Sequence, residues 1–289
     1  MNLPIRADSA RSRSRSALSR VLVHLPESPK AESLIRFTTE LTRRSAAHVR
    51  GLTLLDTSEL ENLVSTCESA AYAVYELERL QSGAERRNSV RASFSNACLQ
   101  AGLDFDLHAR EGQTVDLLIR EALLHDLLVV ALASSSGRLP GEWTSSALTN
   151  LVLQVAAPVL ALRQSEPPPS RILLVQDGTQ ACGSTIRNFL SQRLFPDAAC
   201  RLLVVGTAPR EARRLLRETA DYVCRRVAAC ETGYVIGHPV KVVPAFVQQW
   251  EADLVVLGAQ RRPAMLSFLF GEVIERILRK TGASLYSNC

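Results

Sequence analysis

Short apolar runs, each closed by turn formers and followed by a stretch with helical periodicity, recur along the whole chain. Ten can be counted, at 20–25, 49–55, 104–109, 126–132 and 158–163, then at 171–176, 201–206, 233–237, 253–258 and 283–287. Most are apolar throughout instead of alternating, the pattern of strands buried on both faces of a sheet. The stretches between them, such as SLIRFTTELTRRSA, STIRNFLSQRLF and GEVIERILRKTG, space their apolar residues at three and four and read as helices with one apolar face. Strands alternating with helices imply parallel βαβ units with right-handed crossovers. The expected fold class is α/β, doubly wound.

The chain also repeats itself. Arg20-Val-Leu-Val-His-Leu-Pro-Glu-Ser28 matches Arg171-Ile-Leu-Leu-Val-Gln-Asp-Gly-Thr179 at an offset of 151. Asp126-Leu-Leu-Val-Val-Ala131 matches Asp253-Leu-Val-Val-Leu-Gly258 at 127. The smaller offset means that the first copy is longer in its middle, where a helical stretch from about Glu68 to Gln100 stands against one from about Arg210 to Cys230. In the second copy Pro244 is expected to confine the next helix to its later part. Two tandem domains follow, at 19–164 and 171–289, behind a disordered basic tail (1–18) and joined by a stiff Pro-rich linker at 165–170.

Composition sharpens this picture. Hydrophobic residues make up 46% and aromatics only 5%, so the core is built of Leu, Val and Ala. The formal charge is +5, but residues 1–20 hold five arginines against Asp8, a net of +4, which leaves +1 for the rest. The tail reads as a solvated leader, and contact with nucleic acid or an anionic surface is the alternative. For the folded body nucleic acid is not an expected partner. No apolar run reaches the roughly 20 residues that cross a bilayer, and no signal peptide is seen, so a cytoplasmic protein with no membrane contact is expected. Seven cysteines without a C-x-x-C and five histidines without zinc-ligand spacing give no metal site, and the thiols are expected to be reduced.

In doubly wound sheets ligands sit at the carboxyl ends of strands. Lysines stand only at 30, 241 and 280, without a Gly-Lys-Ser/Thr loop, which excludes a P-loop enzyme. No G-x-G-x-x-G follows a first strand and there is no G-x-S-x-G elbow, which argues against a dinucleotide dehydrogenase and a serine hydrolase. After the fourth strand of the second copy stands Gly258-Ala-Gln-Arg261, then nine residues, then Gly271-Glu272, with Asp177-Gly178 after that copy's first strand. Arg110-Glu-Gly112 and Gly237-His-Pro239 precede the third helices, and Ala-Pro-Val-Leu fills 157–160. On these residues the chain resembles the universal stress protein family over 19–289. ATP-binding members of that family carry G-x2-G-x9-G-[ST] here, and an Asp at the end of the first strand.

The resemblance implies two Rossmann-like domains of the adenine nucleotide alpha hydrolase-like type, each with a five-stranded parallel sheet. It implies pairing through the last strands, Pro158–Arg163 with Ala283–Asn288, or a homodimer. ATP is the candidate ligand, with Asp177, Gly178, Gly258, Arg261, Gly271 and Glu272 as the binding positions. The departures matter. Arg261 replaces the second glycine, and Glu272 replaces the hydroxyl residue at a helix start, where a carboxylate satisfies the dipole and repels phosphate. Glu272 is expected either to form a plug with Arg261 or Arg262 over the vacated phosphate position, or to be an ordinary N-terminal helix acid. In the first copy Pro26 stands at the Asp position and Ala131 at the first glycine, though Ser134–Gly137 and Thr144–Ser146 offer hydroxyls.

Other candidates are weaker. Arg210, Arg213, Arg214 and Arg217 line one helix face, with Arg214–Glu218 and Arg217–Asp221 as expected i,i+4 pairs of a solvated surface. His24, His125 and His238 lack a neighbouring acid–nucleophile set, and no catalytic residue is assigned. The expected function is a non-enzymatic stress-response sensor or regulator with weak nucleotide binding in the second domain, acting on an unidentified protein partner. Two alternatives stand beside it: a scaffold whose cleft is self-filled or holds an apolar metabolite, and a weak ATPase.

Overall fold

The computed structural model describes residues 18–56, 70–134, 137, 139–164, 166–260 and 268–289, with side chains omitted at 70–80 and 268–271. The basic tail before Leu18, Cys67, Ser135, Ser136 and the pair Arg261 and Arg262 lie outside the described residues.

All ten expected strands are present. The first half runs β1 (Arg20–His24), α1 (Lys30–Ser45), β2 (His48–Asp56), α2 (Ala70–Gln100), β3 (Phe105–Gly112), α3 (Thr114–Ala122), β4 (Leu127–Ala131), α4 (Ser145–Val152) and β5 (Val159–Leu162). The second runs β6 (Arg171–Gln176), α5 (Gln180–Gln192), β7 (Ala199–Gly206), α6 (Pro209–Cys224), β8 (Cys230–Ile236), α7 (Pro239–Trp250), β9 (Leu254–Val256), α8 (Phe268–Lys280) and β10 (Ser284–Ser287). The two expected five-stranded sheets are joined into one of ten, ordered β3-β2-β1-β4-β5-β10-β9-β6-β7-β8. Each half is parallel within itself.

The repeat is a repeat of register. Val21 pairs with Leu127 in the first half, and Ile172 with Leu254 in the second, so the offsets of 151 and 127 both land on equivalent ladder positions. The aspartates heading the matched strands explain themselves. Asp126 Oδ2 accepts from the backbone N–H groups of Ser19 and Arg20 at 2.7 and 2.9 Å. Asp253 Oδ2 does the same for Ser170 and Arg171, both at 2.9 Å. Each carboxylate thus fixes the start of a first strand against the start of a fourth, through charge-assisted bonds.

Successive strand residues alternate between two cores, one on each face of the sheet. Leu22, Leu128, Leu173 and Val255 face a core shared with α3, α4, α7 and α8. Val21, Val23, Ile172 and Leu254 face the other, shared with α1, α2, α5 and α6. Both cores run through the two halves without a break. The seam is antiparallel, with Leu285 opposite Ala161, Tyr286 opposite Leu160 and Ser287 opposite Val159. Polar groups lock it: the half-buried Arg163 donates to the carbonyls of Ala133 and Leu278 at 2.7 and 2.6 Å. The buried Tyr286 hydroxyl donates to Gln192 Oε1 at 2.9 Å, and Gln192 Nε2 donates to the Asp126 carbonyl at 2.8 Å. Pairing two edge strands this way removes both from solvent.

Three expectations change. Helix α7 begins at Pro239 and continues through Pro244. Pro244 forfeits one helix hydrogen bond, but it is buried with Val240, Val243 and Val247 on the face that packs on the sheet, which offsets the loss. Helix α6 ends at Cys224 instead of reaching Cys230, because Cys230 is drawn into β8 by its pairing with Cys200. Arg214–Glu218 forms as expected at 3.0 Å, but Asp221 pairs with Arg225 at 2.8 Å and not with Arg217.

Candidate functional site

The carboxyl ends of β6, β7 and β8 open into a cleft of about 530 Å³. Each strand end contributes backbone or a short side chain: Asp177-Gly178-Thr179 after β6, Gly206-Thr207 at β7, and Gly237-His238-Pro239 after β8. Its floor is apolar, from Val205, Ala212 and Val273, and one wall is the face of α6 that carries Glu211, Arg214, Leu215 and Glu218. Asp177 is held by its own turn: Oδ1 accepts from the Thr179 backbone N–H at 2.9 Å and from its hydroxyl at 2.7 Å. The Thr179 hydroxyl oxygen in turn caps α5 by accepting from the Cys182 N–H at 3.2 Å. Gly178 has φ +86, a left-handed conformation that favours glycine and leaves the cleft mouth without a side chain. Burial, with Asp177 adding to it, pushes the neighbouring Cys182 thiol up to about 12, so it is an inert core group.

The expected binding residues divide. Asp177 and Gly178 line the cleft. Gly258 is not among the lining residues, and its lack of a side chain has a packing cause: a Cβ there would stand 2.3 Å from the backbone carbon of Ala181 and the nitrogen of Cys182. Gly271 and Glu272 fall inside α8, whose described span is Phe268–Lys280. Glu272 is exposed and pairs with Arg276 at 3.1 Å, one turn along the same helix. Glu272 therefore stands beyond the first turn of α8 and is not a helix-start acid. The other half of the plug expected with it lies outside the described residues. The residues that the sequence reading missed are the acids of α6, Glu211 and Glu218. Their signal was present in the stripe between the arginines, but a solvated face looks the same.

The corresponding region of the first half is occupied by the protein itself. By register, Glu27 takes the place of Gly178, and it accepts from Arg87 of α2 at 2.8 Å. The Thr114 hydroxyl, at the start of α3, donates to Asp56 at the end of β2 at 2.9 Å. A strap at 139–143 lies on the loop after β1: Glu27 N–H donates to the Pro140 carbonyl at 3.1 Å, and a Cβ on Gly141 would meet Pro26 Cα at 2.6 Å. The strap buries Trp143, whose indole N–H donates to His24 Nδ1 at 3.1 Å, and Glu142, which faces Lys30 at 3.5 Å. Thr144, expected as a free hydroxyl, caps α4 by accepting from the Ala147 N–H at 3.3 Å.

His24 reports on this closure. Burial lowers its pKa from 6.5 to about 4, and acceptance of the Trp143 proton requires Nδ1 to be unprotonated. The unfolded chain takes up the proton near pH 6.5, the folded one only near pH 4. The stability this gives is therefore whole above pH 6.5 and is lost as pH falls toward 4, a change of about 3 kcal/mol. Urea unfolding at pH 7 and pH 4.5 should show a smaller loss in His24→Gln than in the unsubstituted chain. Parallel losses in the two would contradict the burial of a neutral imidazole.

Residues 208–285 match the Universal stress protein family. A universal stress protein of Synechocystis sp. is 18% identical over 200 residues, 68% of this chain and 70% of that one. Among solved structures, a universal stress protein from Archaeoglobus fulgidus superposes with a TM-score of 0.67 at 12% identity, covering 93% of this chain and 95% of its own. A functionally unknown protein from Pseudomonas aeruginosa superposes with a TM-score of 0.61 at 14% identity, covering 94% and 92%. The likenesses to solved structures extend over both halves and the seam.

Proposed function

We propose, for a universal stress protein with two halves in one sheet, that the second half holds a single adenine nucleoside or nucleotide and that the chain is a non-enzymatic regulator of the stress response. One observation carries this reading: the strand-end position that Gly178 leaves open to the cleft in the second half is taken in the first by Glu27, paired with Arg87. Asp177, oriented by its turn, is the acceptor for ribose hydroxyls, and the apolar floor of Val205, Ala212 and Val273 takes the base.

The charges around the cleft bias the choice of ligand. Asp177, Glu211 and Glu218 stand against Arg214, and Arg214 is already paired with Glu218. Phosphates gain little beside these acids. The nucleoside part then supplies the recognition, and adenosine should bind about as tightly as ATP with magnesium. Among the described lining residues the Thr179 hydroxyl is committed to Asp177 and to the cap of α5, which favours a binding role over turnover. In the cell the protein would work among cytoplasmic partners whose contacts depend on occupancy of the cleft.

A thermal-shift titration tests this. ATP with magnesium and adenosine should raise the melting temperature to similar extents, and Asp177→Ala should abolish both shifts. A scaffold without a nucleotide site, the competing reading, predicts no shift with either compound.

A further inference from the structure

Three thiols of the second half converge where α6 returns to the sheet. Cys200 on β7 and Cys230 on β8 are register partners on adjacent parallel strands, so their side chains share one face. Cys224 is the last residue of α6, and only residues 225–229 separate it from Cys230. The helix and the strand pack on one another. Burial, with Cys224 and Cys200 adding to it, raises the Cys230 thiol to about 12. Cys224 and Cys230 are half-buried, Cys200 is buried, and all three are free thiols. β8 ends the sheet, so no further strand among the described residues shields the pair.

We propose that Cys224 and Cys230 are a peroxide-responsive dithiol that closes a reversible disulfide between the end of α6 and the edge strand β8. Cys224 attacks one oxygen of hydrogen peroxide as its thiolate, giving a sulfenic acid and releasing the other oxygen as water after protonation. The sulfur of Cys230 then displaces the sulfenic oxygen, which leaves as a second water, and the S–S bond forms. Two thiols and one peroxide become one disulfide and two waters; both sulfurs are oxidised and the peroxide is reduced. Cys230 gives up its thiol proton as it attacks, and is the resolving partner.

Geometry selects this pair over Cys200–Cys230. In-register neighbours on adjacent strands are held about 4.8 Å apart by the ladder, whereas a disulfide needs its Cβ atoms at about 3.8 Å. Cys224 is free of that constraint, because 225–229 belongs to neither helix nor strand and is largely exposed. The inference does not depend on what the cleft binds.

Trypsin separates the three thiols, since Arg225 and Arg226 lie between Cys224 and Cys230 and Arg201 follows Cys200. The full chain should be treated with hydrogen peroxide, the remaining thiols alkylated, and the digest read by mass spectrometry. The expected product is peptide 218–225 linked to peptide 227–241 as the main oxidised species, released by dithiothreitol. It should persist in Cys200→Ser and disappear in Cys224→Ser. Recovery of both peptides alkylated after peroxide, a link to peptide 194–201 instead, or oxidation that dithiothreitol does not reverse would each overturn the proposal.

Discussion

Replacing Trp143 with alanine is expected to lower the unfolding free energy by roughly 3–5 kcal/mol, the range for removing a buried aromatic. Trp143 is buried in the core on the side of α3 and α4 and packs edge-on to His24, with ring centroids 6.0 Å apart. Its backbone also completes the end of the sheet, where Trp143 N–H donates to the Ala131 carbonyl at 2.8 Å and the Ala133 N–H donates to the Trp143 carbonyl at 2.9 Å. The substitution removes the indole and leaves His24 Nδ1 without a donor, so the cavity and the polar loss act together. Denaturant midpoints at pH 7 measure the first effect. The second should appear as a rise in the His24 pKa toward 6.5, read by NMR, as water reaches the ring. A loss below about 1 kcal/mol would show that the strap is not part of the core.

Gly258→Ala is expected to cost about 3 kcal/mol, at the upper end for overpacking. Both atoms that the new methyl would meet, at 2.3 Å, are backbone at the start of α5, and no side chain can rotate away to make room. Helix α5 would have to move off β9, and with it the Thr179 cap and the turn that orients Asp177. The substitution separates two explanations for the glycine. If it serves packing, stability falls without any ligand. If it serves only the approach of a phosphate, the ligand-free protein keeps its stability and only binding suffers.

The fold was legible because its signals are local and doubled. Apolar runs bounded by turn formers placed every strand to within a few residues, and the two offsets anticipated the register. The fusion into one sheet came from the resemblance and not from the runs, since nothing in VLAL or SLYS names its neighbour. The misjudged elements are those in which tertiary packing outweighs a local rule: Pro244 stays in a helix because its face is buried, and Cys230 joins a strand because Cys200 is beside it.

The candidate site was half legible. Asp177 and Gly178 could be found because strand ends in this fold carry ligands. Gly258 was assigned to a ligand although its closest neighbours are the backbone of Ala181 and Cys182, a contact that no local pattern announces. The closure of the first half was hidden for a different reason. Trp143 and His24 are 119 residues apart, and Arg87 reaches Glu27 from a helix that has a shorter counterpart in the other half. The exchanges of Asp177 for Pro26 and of Gly178 for Glu27 are what the aligned repeats show of it.

The proposed ligand site is the cleft at the ends of β6, β7 and β8 in the second half. Isothermal titration of the full-length protein with adenosine, and with ATP and magnesium, tests it most directly. One molecule should bind per chain, with similar affinity for both compounds and no binding in Asp177→Ala. Two molecules per chain, or none at any concentration, would contradict it.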